Sequence, residues 1–295
     1  MGSKGSAVSD GETDEHTTGL TLVEVGPVSL TVRGERNGRL APVDIECVRA
    51  HISEVLAQLR DCLPVLKQKA RRIKNPAYLP DVAKMMIDAV KRVDEMSLTP
   101  MAAVAGSVAD AVGERLAKDG FDFLIVNNGG DIAVFNPSGR DVRIAVGDVE
   151  KDVAVRYVLA VRGVTRFGIA TSGFGGRSFT LGLADMVTVI ADSAAVADAA
   201  ATYVCNQTYV ESDRVTRQAA REIDPETDIP DERVTVTRGD LPRNVVFEAL
   251  RRGLDSAEHL KMNGVVRDAV LVLGREMATT IRGGPTIDLE VAYGD

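Results

Sequence analysis

The segment Ala194 to Thr202 reads Ala-Ala-Val-Ala-Asp-Ala-Ala-Ala-Thr, directly behind an Asp192-Ser193 pair that caps a helix running to about Asn206. Methyl groups on nearly every side let such a helix pack flush against a sheet. Asp198 stands in the middle of it, although aspartate is a poor helix former and gains nothing there by propensity. With the surrounding methyls packed away, its carboxyl lies near burial and needs a partner. Asp198 and Thr202 are four residues apart and share one helix face. A carboxylate and a hydroxyl one turn apart offer two hard oxygens to a cation of the magnesium class, which takes its remaining ligands from water or ligand phosphates. The plainer reading leaves Asp198 exposed on the outer face of the helix.

The rest of the composition narrows the field. The chain has 295 residues, 45% hydrophobic and 26% charged, enough to bury a sizeable core. A net charge of -8, no Trp and 4% aromatic residues argue against nucleic-acid binding and against attraction to an anionic membrane. Cys47, Cys62 and Cys205 are odd in number and far apart, which fits a reducing compartment and a cytoplasmic protein. No run approaches the length of a membrane span. Met1 to Gly19, polar and without an apolar stretch, reads as a disordered tail ahead of one domain over 20–295. The histidines are His16, His51 and His259, with no His-x-x-x-His or Cys-x-x-Cys spacing, so a zinc site on such ligands is not indicated. A Ser-His-Asp triad lacks its nucleophile elbow.

Periodicity predicts a hairpin from Leu20–Val25 and Val28–Arg33 around Gly26-Pro27, then an amphipathic helix from Ile45 up to Pro64. The basic run Lys67, Lys69, Arg71, Arg72, Lys74 reads as a solvated helix end or, more sharply, as a guide for a phosphate-bearing ligand. A second helix is capped by Asp81, and a third opens at Thr99-Pro100 with the small residues Met101 to Ser107 in its first turns. Strands follow at Phe123–Val126, Ile132–Phe135, Val142–Val146, Val155–Val161, Phe167–Ala170 and Met186–Ile190. A polar loop over Arg221–Glu232 leads to a strand at Val234–Val236, a helix over Val245–Lys261 and a last strand at Val265–Leu273. Strands and helices alternate in blocks, which points to α+β with a mixed or antiparallel sheet core packed with helices.

Two loops join Asp198 as candidates. Asn127-Asn128-Gly129-Gly130-Asp131 contains the Asn-Gly of a type I′ hairpin, with the turn expected at Asn128 and Gly129. On that register Gly130 has no turn-related reason to be glycine, and its bare backbone suggests a ligand or the Asp198 helix passing over it, with Asp131 aimed at the same place. Thr171-Ser172-Gly173-Phe174-Gly175-Gly176-Arg177-Ser178 brings hydroxyls, exposed N–H groups and a guanidinium directly after a strand, the groups an anionic phosphate or carboxylate requires. The spacing is not that of a P-loop. A plain turn and a flexible surface loop are the simpler readings of these two segments.

The order Asn-Asn-Gly-Gly-Asp, a strand ending in Thr-Ser-Gly, Ala-Asp-Met-Val-Thr-Val (184–189) and Ala-Asp-Ala-Ala-Ala-Thr (197–202) resembles the ApbE-like superfamily over about residues 20 to 275. Characterised members are flavin transferases that use magnesium and FAD to attach FMN to a Thr or Ser of a target protein. The chain is closer to an uncharacterised branch that also carries a Pro-Met-Ala-Ala-Val-Ala-Gly segment, here Pro100–Gly106. The resemblance implies that Asp198 and Thr202 hold the metal, with a backbone carbonyl from Ala105. It also implies that Asn128, Gly129, Gly130 and Asp131 line the nucleotide site, with Thr171, Ser172 and Gly173 as a second lining loop. The transferases follow Thr-Ser-Gly with His-x-x-Asp-Pro-x-Thr-Gly; here Gly176 to Gly182 has neither the His nor the Asp-Pro.

Three functions therefore stand open. One is transfer of FMN from FAD, or FAD cleavage, with Asp131, Arg177 and Asp198 as catalytic groups and Ser178 beside Arg177 on the ligand. Another is hydrolysis or isomerisation of a small anionic heterocycle or carboxylic acid on the same scaffold. The third is flavin binding without catalysis. An acceptor protein and self-association are the expected partners.

Overall fold

Helix-forming and strand-forming segments separate into three layers in the computed structural model, which describes residues 19–147 and 155–293. The chain begins with β1 (Thr21–Val25), β2 (Val28–Arg36) and β3 (Arg39–Leu40), then α1 (Ile45–Leu66), α2 (Asp81–Asp94) and α3 (Val104–Lys118). Strands β4 (Phe123–Asn128), β5 (Asp131–Phe135), β6 (Val142–Val146), β7 (Val155–Val161), β8 (Arg166–Ser172) and β9 (Met186–Ala191) follow. Next come α4 (Ala194–Gln207), β10 (Val215–Ala219), α5 (Ala220–Ile223), β11 (Arg233–Arg238) and α6 (Arg243–Met262). The last strands are β12 (Val266–Leu273), β13 (Glu276–Thr279) and β14 (Ile287–Tyr293).

The middle layer is a nine-stranded sheet in the order β1-β2-β4-β5-β8-β9-β12-β13, with β3 beside β2. Its neighbours pair antiparallel. One face carries α1 against β1, α3 against β4 and β5, α4 against β8 and β9, and α6 against β12. The other face is covered by a three-stranded antiparallel sheet, β14-β7-β6. The α+β expectation, with an antiparallel core, is what the chain adopts.

Strand alternation sorts the two cores. In β8 and β9, Ala170, Val187, Val189 and Ala191 face the helices, whereas Ile169, Met186 and Ile190 face the small sheet. Helix α4 is enclosed by α2, α3 and α6 as well as by the sheet, which is why alanine suits every side of it. Ala194, Ala197, Ala199 and Ala200 are completely buried. Ser193 caps its N-terminus as expected, accepting from Val196 N at 3.3 Å.

Several local expectations shift. The pairing of Asn128 with Asp131 puts Gly129 and Gly130 in the two-residue turn, with φ of 64° and 112°. Gly130 is therefore glycine because the turn needs it, and a Cβ there would meet nothing within 4 Å, so no helix passes over it. Helix α1 runs through Pro64 to Leu66. Asp81 is the first residue of α2 and Pro80 holds the cap position. Thr99 precedes a 3-10 turn over Pro100–Ala103, and its hydroxyl donates to Asp228 instead of capping a helix. The loop expected over Arg221–Glu232 begins inside α5, and β10 before it pairs with β11. Two strands, β13 and β14, follow the one expected to be last. The tail expected over 1–19 lies, apart from Gly19, outside the described residues.

Candidate functional site

The β4–β5 turn, the end of β8 and the start of β9 reach the same end of the large sheet. A cleft of about 1020 Å³ opens there. Asn128, Gly129, Gly130 and Asp131 form one wall, Thr171, Ser172, Gly173, Arg177 and Ser178 another, and Ala105, Asp198 and Thr202 of the helix layer a third. The residues selected in these segments thus come to one place, although they are spread along the chain from Ala105 to Thr202.

Helices α3 and α4 touch by backbone, since a Cβ on Gly106 would lie 2.2 Å from the Ala194 carbonyl oxygen. That approach brings the N-terminus of α3 onto Asp198, whose Oδ2 accepts from Gly106 N at 3.0 Å and which also receives the Ala105 N–H. The Ala105 carbonyl in turn accepts from Asn128 Nδ2 at 3.1 Å, tying the hairpin to α3. Asp131 accepts the backbone N–H of Thr171 and lies near Arg177. Burial pushes the Asp131 carboxyl up to about 7, against the pull of the Thr171 N–H and Arg177. Burial also raises Asp198 well above the carboxylate range, and the charge of Asp131 raises it further. Two carboxyl groups that repel each other and are both short of counter-charge make a place where a cation or a proton is favoured. Arg177 is exposed and lies over the turn, where a Cβ on Gly129 would come within 2.9 Å of its Nη1. Glycine at 129 leaves room for that guanidinium.

A second cleft, about 610 Å³, meets the first at Asp131, Asp198, Thr202, Arg177 and Ser178. Its floor is apolar, with Leu98, Met101, Ala102 and Leu181, and one wall is the segment 224–232. Lys67 and Lys69 of the basic run line it, but both are engaged: Lys69 Nζ lies 2.9 Å from Glu232 Oε1 and Lys67 Nζ lies 3.5 Å from Glu226 Oε2. Arg71, Arg72 and Lys74 do not line either cleft.

The cation donors suggested by the sequence are a mixed set. Among the described residues no group of three or more His, Cys, Asp or Glu side chains could hold a metal. Asp198, Thr202 and Ala105 line the same cleft, but Asp198 Oδ2 already accepts from Gly106 N and the Ala105 carbonyl from Asn128, so a magnesium-class ion there would take most of its shell from ligand or water.

Sequence reasoning did not find everything. Thr171 and Thr188 stand opposite each other in the β8–β9 pairing with hydroxyls 2.7 Å apart, and the buried Tyr157 hydroxyl donates to Thr188 at 2.7 Å. A threonine within the otherwise apolar β9 was the available signal. Arg275, in the β12–β13 turn, lines the first cleft and had no signal in its neighbours. Asp110, 1% exposed on α3, also escaped notice; its Oδ2 accepts from Ala195 N at 2.9 Å.

The layers and the two clefts that meet at Asp131 and Asp198 define an α+β protein with a pair of carboxyl groups at the end of its large sheet. The profile of the family described as AbpE bacteria matches residues 13–279, and the chain belongs to that family. It is 38% identical over 164 residues to UPF0280 protein MK0206 of Methanopyrus kandleri, covering 55% of this chain and 64% of that protein. It is also 38% identical over 129 residues to a UPF0280 protein of Methanospirillum hungatei, covering 43% and 51%. The chain thus spans between half and two-thirds of the length of these curated relatives. The apo crystal structure of Pseudomonas stutzeri flavinyl transferase ApbE aligns with a TM-score of 0.45 at 16% identity, over 88% of this chain and 93% of that one. The flavin transferase ApbE of Vibrio cholerae aligns with a TM-score of 0.47 at 11% identity, over 92% and 96%. Among the described residues no helix is long and apolar enough to cross a membrane.

Proposed function

We propose that the protein binds FAD in the first cleft together with a magnesium-class cation and transfers the FMN portion to a hydroxyl acceptor in the second. The observation that carries this reading is that both clefts meet on the same two carboxyl groups, beneath one exposed guanidinium. Two clefts that share a reacting centre have room for a donor on one side and an acceptor on the other.

Asp198, Thr202 and the Ala105 carbonyl would hold the cation, which when bound would offset charge on the phosphoryl oxygens. Arg177 and Ser178, with the backbone of Gly129, Gly130 and Gly173 and the side chains of Asn128, Thr171 and Ser172, would hold the diphosphate and its neighbours. Burial raises the Asp131 carboxyl toward the neutral range, where it can take up a proton as a general base. It would take the acceptor hydroxyl proton as the acceptor oxygen bonds to the FMN phosphorus and the bond from that phosphorus to the AMP oxygen breaks, releasing AMP. Asp131 would thereby cover the role left by the absent histidine. That absence also favours a second reading, in which Arg177 anchors a small anionic heterocycle or carboxylic acid and Asp131 or Asp198 acts as base in hydrolysis or isomerisation.

Incubation with FAD and magnesium, followed by chromatography for FMN and AMP, decides between them. Asp198→Ala should abolish the dependence on magnesium. Arg177→Ala should weaken FAD binding by roughly 1.5–3 kcal/mol, the range for charge-assisted hydrogen bonds, with little change in Tm. No product with water or any acceptor, together with a small acid seen by native mass spectrometry, would replace the first reading with the second.

A further inference from the structure

Asp110 lines neither cleft, yet it is bonded to the helix that carries Asp198. Its carboxylate accepts from the first N–H groups of α4, at Ala195 and Ala194. Asp198, on α4, accepts from the first N–H groups of α3, at Gly106 and Ala105. Each helix therefore satisfies open N-terminal donors of the other with one acid, Asp110 buried and Asp198 at the cleft wall. The two links are one turn apart on both helices, Gly106 to Asp110 on α3 and Ala194 to Asp198 on α4. Between them the backbones are in contact at Gly106 and Ala194, so no side chain cushions the joint. A slide of one residue, about 1.5 Å along a helix axis, breaks both links at once. The Ala105 carbonyl sits at the start of one helix and Asp198 and Thr202 on the other, so this joint sets the distance between them.

We infer that Asp110 is a positioning residue for the candidate cation site: from outside the cleft it fixes α4 against α3 and so holds Asp198 and Thr202 at their spacing from the Ala105 carbonyl. This rests on the cation reading above only for its ligand; the joint itself is independent of it. Arg166 Nη2, 3.6 Å from Asp110 Oδ1 and 2.7 Å from Glu114 Oε1, closes the outer side.

The test compares Asp110→Ala with Asp110→Asn, which keeps an acceptor oxygen, in the full chain. Manganese binding is followed by electron paramagnetic resonance, and exchange of the Gly106 amide by NMR in metal-free protein. Leu159→Ala, in the core on the opposite face of the sheet, serves as a destabilised control. Asp110→Ala should weaken manganese binding at least ~10-fold, as loss of outer-shell support commonly does, and should speed Gly106 exchange. Asp110→Asn should recover most of both, and Leu159→Ala should lower Tm without moving either. A drop in Tm for Asp110→Ala with unchanged Gly106 exchange would make Asp110 merely structural and overturn the inference. Failure of the wild-type protein to bind manganese would instead remove the cation reading, and the Gly106 amide would then decide the inference by itself.

Discussion

The two faces of the large sheet are filled in opposite ways. Toward the small sheet the core is made of bulk: Phe167, Tyr157, Leu159, Ile169 and Ile190 are nearly or completely buried. Toward the helices its centre is made of methyl groups and glycine, so that Gly106 and Gly168 bring their backbones against Ala194. Bulky side chains hold layers about 10 Å apart and fill the space by volume. Small ones let backbone N–H and C=O groups of neighbouring elements meet, and polar groups can then be placed by main-chain contacts. Asp198, Asp110 and the Ala105 carbonyl all lie on the small-residue side. One face supplies most of the cohesion and the other most of the positions, Thr171 being the exception, held from the bulky side through Thr188 and Tyr157.

The sharpest way to break this contrast is Phe167→Ala. The cavity should cost about 3–5 kcal/mol, seen as a large fall in Tm, while the FAD affinity of the protein that stays folded should hold. A fall in affinity matching the fall in Tm would mean that the bulky face also positions the site.

Acidity gives the next largest effect. Burial holds Asp110 at about 6 and Asp131 at about 7, and raises Asp198. In the unfolded chain these groups return to ordinary values near 3.8. Between roughly pH 4 and 7 the folded protein therefore binds more protons than the unfolded one, and stability falls as pH rises through that window. Asp110 alone accounts for about 3 kcal/mol at two units of difference. Tm should be higher at pH 5.5 than at 7.5 in metal-free protein, and Asp131→Asn or Asp198→Asn should flatten the slope. A Tm that climbs toward pH 7.5 would show that these acids are already charged and compensated.

Ala200→Val tests the small face directly. An added branch at the fully buried Ala200 should cost about 1–3 kcal/mol and should also disturb cation binding through Asp198, two residues away on the same helix. Loss of stability with normal binding would separate packing from position. The smallest effect on stability is expected from Gly130→Ala, about 1–2 kcal/mol from the positive φ of the turn, with ligand binding retained because the Gly130 N–H stays on Asn127 and the hairpin survives. Lost binding with normal Tm would restore a ligand-approach role for Gly130.

The alanine helix, the antiparallel strands and the three lining segments were legible because each carries its own local signal: period, caps, or polar residues where packing has no use for them. Asp198 could be singled out because its neighbours are all methyls. The hairpin register was not legible, because Asn128-Gly129 and Gly129-Gly130 are both good turns and only the pairing of β2 with β4 through Asn128 decides between them. Asp110 lies in a helix of mixed composition, Val-Ala-Asp-Ala-Val, and its burial depends wholly on what packs over it from far along the chain. Strands β13 and β14 are short or follow Gly-Gly-Pro, and earn their place by edge pairing.

The wall of the second cleft over 224–232 is attached in a different manner from everything else around the site. Lys67 with Glu226, Lys69 with Glu232 and Thr99 with Asp228 tie it to the body, and the lysine pairs reach solvent. Pairs of this kind are screened by dissolved ions, over about 8 Å at physiological strength and 3 Å at 1 M. Part of the grip on this wall therefore weakens with ionic strength, while the carboxyl pair beneath it is held by amides that salt does not reach. A rise in salt loosens the second cleft first and leaves the first cleft as it was.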